Sequence, residues 1–182
     1  NLAFNPAYCD PIKTVTHQLQ EGIAFFDHKY HAQKYIAYFQ AYTNTYASLE
    51  ILKKLYTEAL SYPGVVGLVI STRPDCVNAE ILDYLQELSH KVYLVVEYGV
   101  ESTLDSTLQR INRGHFFNES VVAIEETHKR GITCGVHLIL GLPGESIQDC
   151  LHHAEVISQL PVQLIKMHQL QIIKNTKLEE EY

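Results

Sequence analysis

The sequence has no tryptophan, a single methionine (Met167) and only four cysteines, Cys9, Cys76, Cys134 and Cys150. Cysteines so widely spaced form no disulfide framework. A reduced, cytoplasmic setting is therefore expected, with each thiol read as a small buried hydrophobe. No apolar run approaches the roughly 18–20 residues of a membrane span, so no membrane partner is expected. Positive charge is also scarce. Lys and Arg number 14 against 21 Asp and Glu, a net charge of −7, and nothing in that balance draws the chain to a phosphate backbone. There is no low-complexity tract, internal repeat or interior linker, which argues against a second domain.

What is present suits one globular domain. The 182 residues are 46% hydrophobic and 19% charged, enough to bury a sizeable core. The chain opens on Asn1 rather than Met, its first residues to Pro11 read as loop, and it closes on the polar stretch Lys174 to Tyr182. These features are read as an internal piece of a longer protein.

Apolar periodicity alternates between helix and strand. A helix is expected over 12–30, with Val15, Leu19, Ile23 and Phe26 on one face, then a strand over 35–39. Ser48 is placed to cap a helix that ends at Pro63-Gly64, and Asn78 to cap another with Ile81, Leu82, Leu85 and Leu88 inward. Strands are expected over 65–70, 92–96, 133–140 and 163–172, and further helices over 104–111, 119–130 and 147–159, with Gly131 as a helix stop. Each strand is apolar enough to be buried on both faces. Five such strands separated by helices imply an α/β fold with a parallel sheet. Periodicity alone does not separate a barrel from an open, flavodoxin-like sheet.

In parallel α/β folds, ligands sit at the C-terminal ends of the strands. Here those ends are polar throughout: Gln40 to Tyr46, Ser71-Thr72-Arg73-Pro74-Asp75, Glu97 to Ser102, His137 with Gly141-Leu142-Pro143-Gly144-Glu145, and Lys166 with His168 and Gln169. Alternation puts Glu97, Gly99 and Glu101 on one face as long as the strand stays extended, and puts Lys166 with His168. Ionisable groups inside a buried strand cost several kcal/mol unless paired or ligand-bound, so core packing alone does not explain them.

The segments Tyr38 to Tyr46, Thr72 to Asp75, Glu97 to Ser102, Ile111-Asn112-Arg113-Gly114-His115 and Leu140 to Glu145, in that order at strand ends, resemble the YhcC-like bacterial members of the radical S-adenosylmethionine (SAM) superfamily. More distantly they resemble the radical SAM domains of the Elongator acetyltransferase subunit and the oxygen-independent coproporphyrinogen oxidases. The resemblance covers nearly the whole chain. It implies a partial (β/α)6 TIM-like barrel, here a single radical SAM core over 1–182. It also implies a [4Fe-4S] cluster on a Cys-x3-Cys-x2-Cys loop, and reductive cleavage of SAM to a 5′-deoxyadenosyl radical. An electron donor such as flavodoxin or ferredoxin goes with that chemistry. The substrate stays open; the Elongator likeness points toward RNA modification, and the acidic charge gives it no support.

Carried over residue by residue, the resemblance implies that Thr43 and Asn44 stand where relatives hold the methionyl amino group, although the family's glycines are absent here. Ser71 matches a ribose-contacting position, with Arg73 and Asp75 beside it. Glu101 matches a residue that hydrogen-bonds SAM, and Arg113 an arginine that pairs its carboxylate, for which a planar guanidinium is apt. His137 matches an adenosine-contacting acid, and Leu170 would wall the adenine. The three-cysteine run is missing, Cys9 stands alone, and the polypeptide as given is expected to hold no iron and do no radical chemistry.

Plainer readings stand beside these. His137 can be a core histidine or, with His168, a metal ligand; Arg113 a helix-end charge; Glu101 a helix N-cap acid. His152-His153 reads as a solvated helix face, Tyr35, Tyr38, Tyr42 and Tyr46 as packing residues, Cys76 as structural, and Lys13, Lys29 and Lys34 as solvated. The alternative function is a non-redox barrel-like domain that binds another ligand or performs metal-dependent hydrolysis.

Overall fold

The computed structural model describes residues 6, 8–27, 30–31 and 33–181. Five strands form one sheet: β1 (Tyr35–Phe39), β2 (Val65–Thr72), β3 (Tyr93–Glu101), β4 (Thr133–Leu140) and β5 (Leu164–Gln169). The helices are α1 (Val15–Asp27), α2 (Leu49–Leu60), α3 (Ala79–Ser89), α4 (Asp105–Arg110), α5 (Phe117–Lys129), α6 (Ile147–Ser158) and α7 (Lys177–Glu181).

Strand order decides between the two architectures that share this rhythm. A doubly wound sheet reverses its order at a switch point, which places helices on both faces. Here the order is β1-β2-β3-β4-β5 with every neighbouring pair parallel, and it never reverses. Right-handed crossovers then put each connecting helix on the same side. A twisted sheet covered on one side curls with its other face inward. The fold is a curled half-barrel, the partial barrel that the sequence motifs imply.

Alternation along the strands sorts core from lumen. Leu68 and Ile70 of β2, Val96, Tyr98 and Val100 of β3, and Cys134, Val136 and Leu138 of β4 pack against Leu52, Tyr56 and Ala59 of α2, Ile81 and Leu85 of α3, Ile124 of α5 and Ile157 of α6. Burying a side chain of this size stabilises the fold by about 1.5–3 kcal/mol. The buried Tyr98 hydroxyl is matched by Thr127 Oγ1 at 2.7 Å, so the core carries no orphaned phenol there. The intervening residues, Ser71, Glu97, Gly99 and His137, face the lumen.

Local signals account for most boundaries. Asn78 caps α3 by accepting from the Ile81 amide at 2.9 Å, whereas Ser48 stands at the N-cap of α2 without a side-chain bond. Gly131 stops α5 with φ +68°, a left-handed value. β2 and β3 extend past their apolar runs to Thr72 and Glu101, because ladder bonds continue under the polar residues. β5 ends earlier than the apolar pattern, at Gln169.

One expectation fails at the sheet edges. β1 and β5 are not buried on both faces: Ile36, Tyr38, Ile165 and Met167 are 48%, 40%, 52% and 56% exposed. These are the outermost strands of an open half-barrel, so each lacks a neighbour on one side. Lys13 is not simply solvated but pairs with Glu21 at 2.5 Å. Lys29, Tyr182 and part of the N-terminal loop lie outside the described residues. Among the described residues no helix is long and apolar enough to cross a membrane.

Candidate functional site

The C-terminal ends of β1 to β4 rim one cleft of about 310 Å3, lined by Gln40, Tyr42, Thr43, Ser71, Thr72, Arg73, Gly99, Glu101, Arg113 and His137. That size suits a small-molecule ligand. A larger depression of about 430 Å3 lies alongside, between the loops after β1 and β2, and gathers Tyr46, Asp75, Cys76 and Asn78. It takes nothing from β3 or β4. The cleft, which draws polar groups from all four strand ends, is the stronger candidate.

Glu101 and Arg113 dominate the cleft. β3 pairs regularly with β4 as far as Gly99 and His137, then skips a residue, and Glu101 adopts φ +66°. That bulge ends the extended geometry and folds the carboxylate back over Gly99. Arg113 Nη2 lies 3.1 Å from Glu101 Oε1 and donates to the Gly99 carbonyl at 2.6 Å. A Cβ on Gly99 would stand 2.5 Å from Arg113 Nη2 and 2.6 Å from Glu101 Oε1, so any larger residue there would push the pair aside. Burial pushes the Glu101 carboxyl up, against the pull of Arg113, and pushes the Arg113 guanidinium down, against the pull of Glu101. Both shifts say the pair is short of solvation. A ligand carrying opposite charges would supply what water does not.

Below this pair, on the lumen wall, Glu97 is the hub of a second network. Its Oε2 accepts from Tyr38 at 2.6 Å and from Ser71 at 2.9 Å, and lies 2.8 Å from His137 Nε2. Burial alone would raise this carboxyl, but the bonds from His137, Tyr38 and Ser71 outweigh it and hold it at about 2. Lys166 donates to the Tyr38 hydroxyl at 3.0 Å, with its ammonium 4.9 Å from the ring centre. The His137 and His168 rings are 5.2 Å apart, and burial lowers the pKa of His168.

Of the eight residues assigned from the sequence, six line the cleft: Thr43, Ser71, Arg73, Glu101, Arg113 and His137. Asn44 does not. Its amide donates to the carbonyls of Phe39 and Ser71, both at 2.9 Å, and so ties the ends of β1 and β2 together from below. Leu170 is also absent from the lining; it follows β5 directly, and its amide bonds the Leu140 carbonyl at 3.0 Å. Arg73 lines the cleft with its fork committed to Asp75, at 2.9 and 2.6 Å.

The residues fit a small zwitterion bearing hydroxyls, such as an amino-acid-linked nucleoside, through the Glu101–Arg113 pair and the neighbouring hydroxyls. They do not fit an iron–sulfur cluster: among the described residues no three His, Cys, Asp or Glu side chains are placed to hold a metal. The family model described as the Radical SAM superfamily matches residues 8–157. The chain belongs to the radical SAM superfamily.

Similar proteins agree with this membership. The chain is 44% identical over 151 residues to the uncharacterized protein MJ0486 of Methanocaldococcus jannaschii, covering 82% of this chain and 47% of that protein. It is 42% identical over 146 residues to protein YhcC of Escherichia coli, covering 80% and 47%. Relatives thus come from archaea as well as bacteria, and the chain spans about half their length. Among solved structures, Elp3 of Methanocaldococcus infernus superposes with a TM-score of 0.72 at 20% identity, over 91% of this chain and 43% of that one. That likeness supports the fold.

Several plain readings are now settled by geometry. Glu101 caps no helix, because α4 begins after Leu104, and Arg113 follows the end of α4 and turns its guanidinium to Glu101. His153 is 1% exposed, not solvated, because α6 turns it inward with Ile157. Tyr38 does more than pack. Burial raises the Cys76 thiol, which makes it less reactive. Glu97, Lys166 and His168 were legible as oddly charged strand residues, yet alternation alone did not give them partners.

Proposed function

We propose that the cleft binds S-adenosylmethionine and that the complete protein is a radical SAM enzyme, cleaving SAM reductively at a [4Fe-4S] cluster. The observation that carries this reading is the half-buried, under-solvated Glu101–Arg113 pair folded over Gly99 in a cleft of nucleoside size. Its two charges complement the ammonium and carboxylate of a methionyl group. Ser71 on β2 and His137 on β4 flank β3 where a ribose can reach them, and Thr43 closes the β1 side. SAM bound at a reduced cluster supplies a carbon radical that abstracts hydrogen; these residues hold the molecule and keep water from it. The four cysteines are too scattered to ligate a cubane, so in this reading the thiolates lie outside the 182 residues.

The test is anaerobic. The complete protein, reconstituted with iron and sulfide and reduced with dithionite, should convert SAM to methionine and 5′-deoxyadenosine, and Arg113→Ala should cut that conversion by about 10-fold or more. A reconstituted, reduced protein that leaves SAM intact sinks the reading. Deuterium transfer into 5′-deoxyadenosine from labelled candidates would then identify the substrate.

A further inference from the structure

One carboxylate oxygen, Glu97 Oε2, receives Tyr38, Ser71 and His137 together, at 2.6, 2.9 and 2.8 Å. An ionised carboxylate brings no proton to a hydrogen bond. Each contact therefore needs its proton from the other partner, and His137 must carry hydrogen on Nε2. A neutral imidazole has one N–H, so Nδ1 is left bare.

We propose that Glu97 is a positioning residue that locks His137 in the Nε2–H form, and that the exposed Nδ1 accepts from a hydroxyl or amine of the ligand in the cleft. His137 lines the cleft, and its Nδ1 has no partner among the described residues. Nor is it sealed: the enclosed, unpartnered side-chain atoms are Ser120 Oγ, Glu145 Oε2 and His153 Nε2. Glu97 is itself held in place. Tyr38 accepts from Lys166 and so turns its single hydrogen to Glu97, while Gly135 leaves room where a Cβ would stand 3.1 Å from Glu97 Cγ. The charged and titratable groups around His137 are Glu97 and Glu101 on β3, Lys166 and His168 on β5, and Arg113.

The consequence is a choice of ligand chemistry. At Nδ1 an O–H or N–H is accepted, whereas a phosphate or carboxylate oxygen meets lone pair with lone pair. The donor has two sources: a hydroxyl of the nucleoside itself, or a hydroxyl or amine of the second substrate. The identity of the donor rests on the SAM reading of the cleft; the tautomer does not.

Protein labelled with ring-15N histidine decides it by long-range 1H–15N spectra at pH 8, with His137 picked out from the ten histidines by His137→Gln. The expected pattern is a protonated Nε2 and a bare Nδ1. In Glu97→Leu the preference should fall by at least about tenfold, the strength of one charge-assisted hydrogen bond. A protonated Nδ1 in the wild type, or an unchanged preference in Glu97→Leu, overturns the proposal. Should that variant not fold, Glu97→Gln and the wild-type spectrum alone still decide it. Titration with S-adenosylhomocysteine separates the sources. Movement of the His137 Nδ1 signal assigns the donor to the nucleoside, while binding that moves other cleft signals and leaves Nδ1 in place assigns it to the second substrate. Failure to bind would count against the cleft reading and leave the tautomer result standing.

Discussion

Glu97 and Glu101 lie four residues apart on one strand and titrate in opposite directions, because three hydrogen-bond donors outweigh burial at Glu97 while burial outweighs the pull of Arg113 at Glu101. The Glu97 carboxyl, at about 2 against an ordinary 4.5, is depressed in the folded state. Its contribution is therefore complete above the ordinary carboxylate value and is lost as pH falls toward 2. After allowance for solvent screening it is on the order of 1–2 kcal/mol. Glu101 is raised, so the native state holds its proton more tightly than the unfolded chain does. That contribution is present at low pH and is lost as pH rises through the folded value. Urea unfolding at pH 7 and pH 3 should show Glu97→Gln losing less stability on acidification than the wild type, and Glu101→Gln losing more. Equal losses in all three proteins would show that neither carboxylate has the environment described.

Glycines make a second residue-scale contrast. A Cβ at Gly67 would stand 2.5 Å from the Tyr93 carbonyl oxygen, a backbone atom that cannot move aside, whereas at Gly99 it would meet the ends of Arg113 and Glu101. Gly67→Ala should therefore lower stability by about 1–3 kcal/mol. It should leave S-adenosylhomocysteine affinity unchanged in whatever protein remains folded. Gly99→Ala should displace the charged pair and weaken that affinity by about 10-fold or more, the cost of one misplaced charge-assisted contact. Thermal melts paired with calorimetric titration separate the two; identical effects on affinity would mean Gly99 does not shape the site.

At the scale of elements, the loop after β4 is tied to the turn after β3 by four buried or half-buried side chains. Ser102 donates to Glu145 at 2.5 Å, and Thr103 Oγ1 lies 2.7 Å from His153 Nδ1. Glu145 and His153 approach to 3.3 Å, inside ion-pair range but misaligned for a hydrogen bond, with both side chains 1% exposed. This latch holds the residue after Glu101 and so steadies the left-handed turn. Removing one buried partner leaves the groups bonded to it unsatisfied, which costs about 1–3 kcal/mol. Glu145→Ala should fall in that range, and adding His153→Leu should cost less than the two single changes summed. Strict additivity in chemical denaturation would show that the two side chains do not interact.

The latch also marks where reading the sequence stops. The strands of β2 and β4 and the helix after Asn78 were plain because apolar period and capping chemistry are local. His153 was misread because a His-His doublet on a helix puts one ring out and one in, and only the packing of α6 says which. Glu101 came out on the correct side of the sheet for a different reason than alternation gave, since a bulge and positive φ place it there. Glu97 was visible as a charge in an apolar strand, but its partners come from positions 59, 26 and 40 residues away in sequence. Such a cluster exists only once the strands are laid in order.

For the whole molecule, the open side of the half-barrel governs behaviour in solution. β5 presents Leu164, Ile165 and Met167 at 42%, 52% and 56% exposure, next to a backbone edge that pairs with nothing among the described residues. An apolar edge strand is a template for pairing with another chain. The lumen-facing Lys166 and His168 discourage that on one face only, because Ile165 and Met167 alternate to the other. The 182-residue chain should therefore self-associate with rising concentration, and light scattering after size exclusion should report a mass that grows with load. Met167→Lys, or Ile165→Lys, puts a charge on the outward face without touching the cleft. Either should shift the equilibrium toward monomer while leaving S-adenosylhomocysteine affinity as it was. If mass stays concentration-dependent in both variants, the contact lies elsewhere, and the aromatic face of α1, where Phe25 and Phe26 are 65% and 45% exposed, becomes the surface to change next.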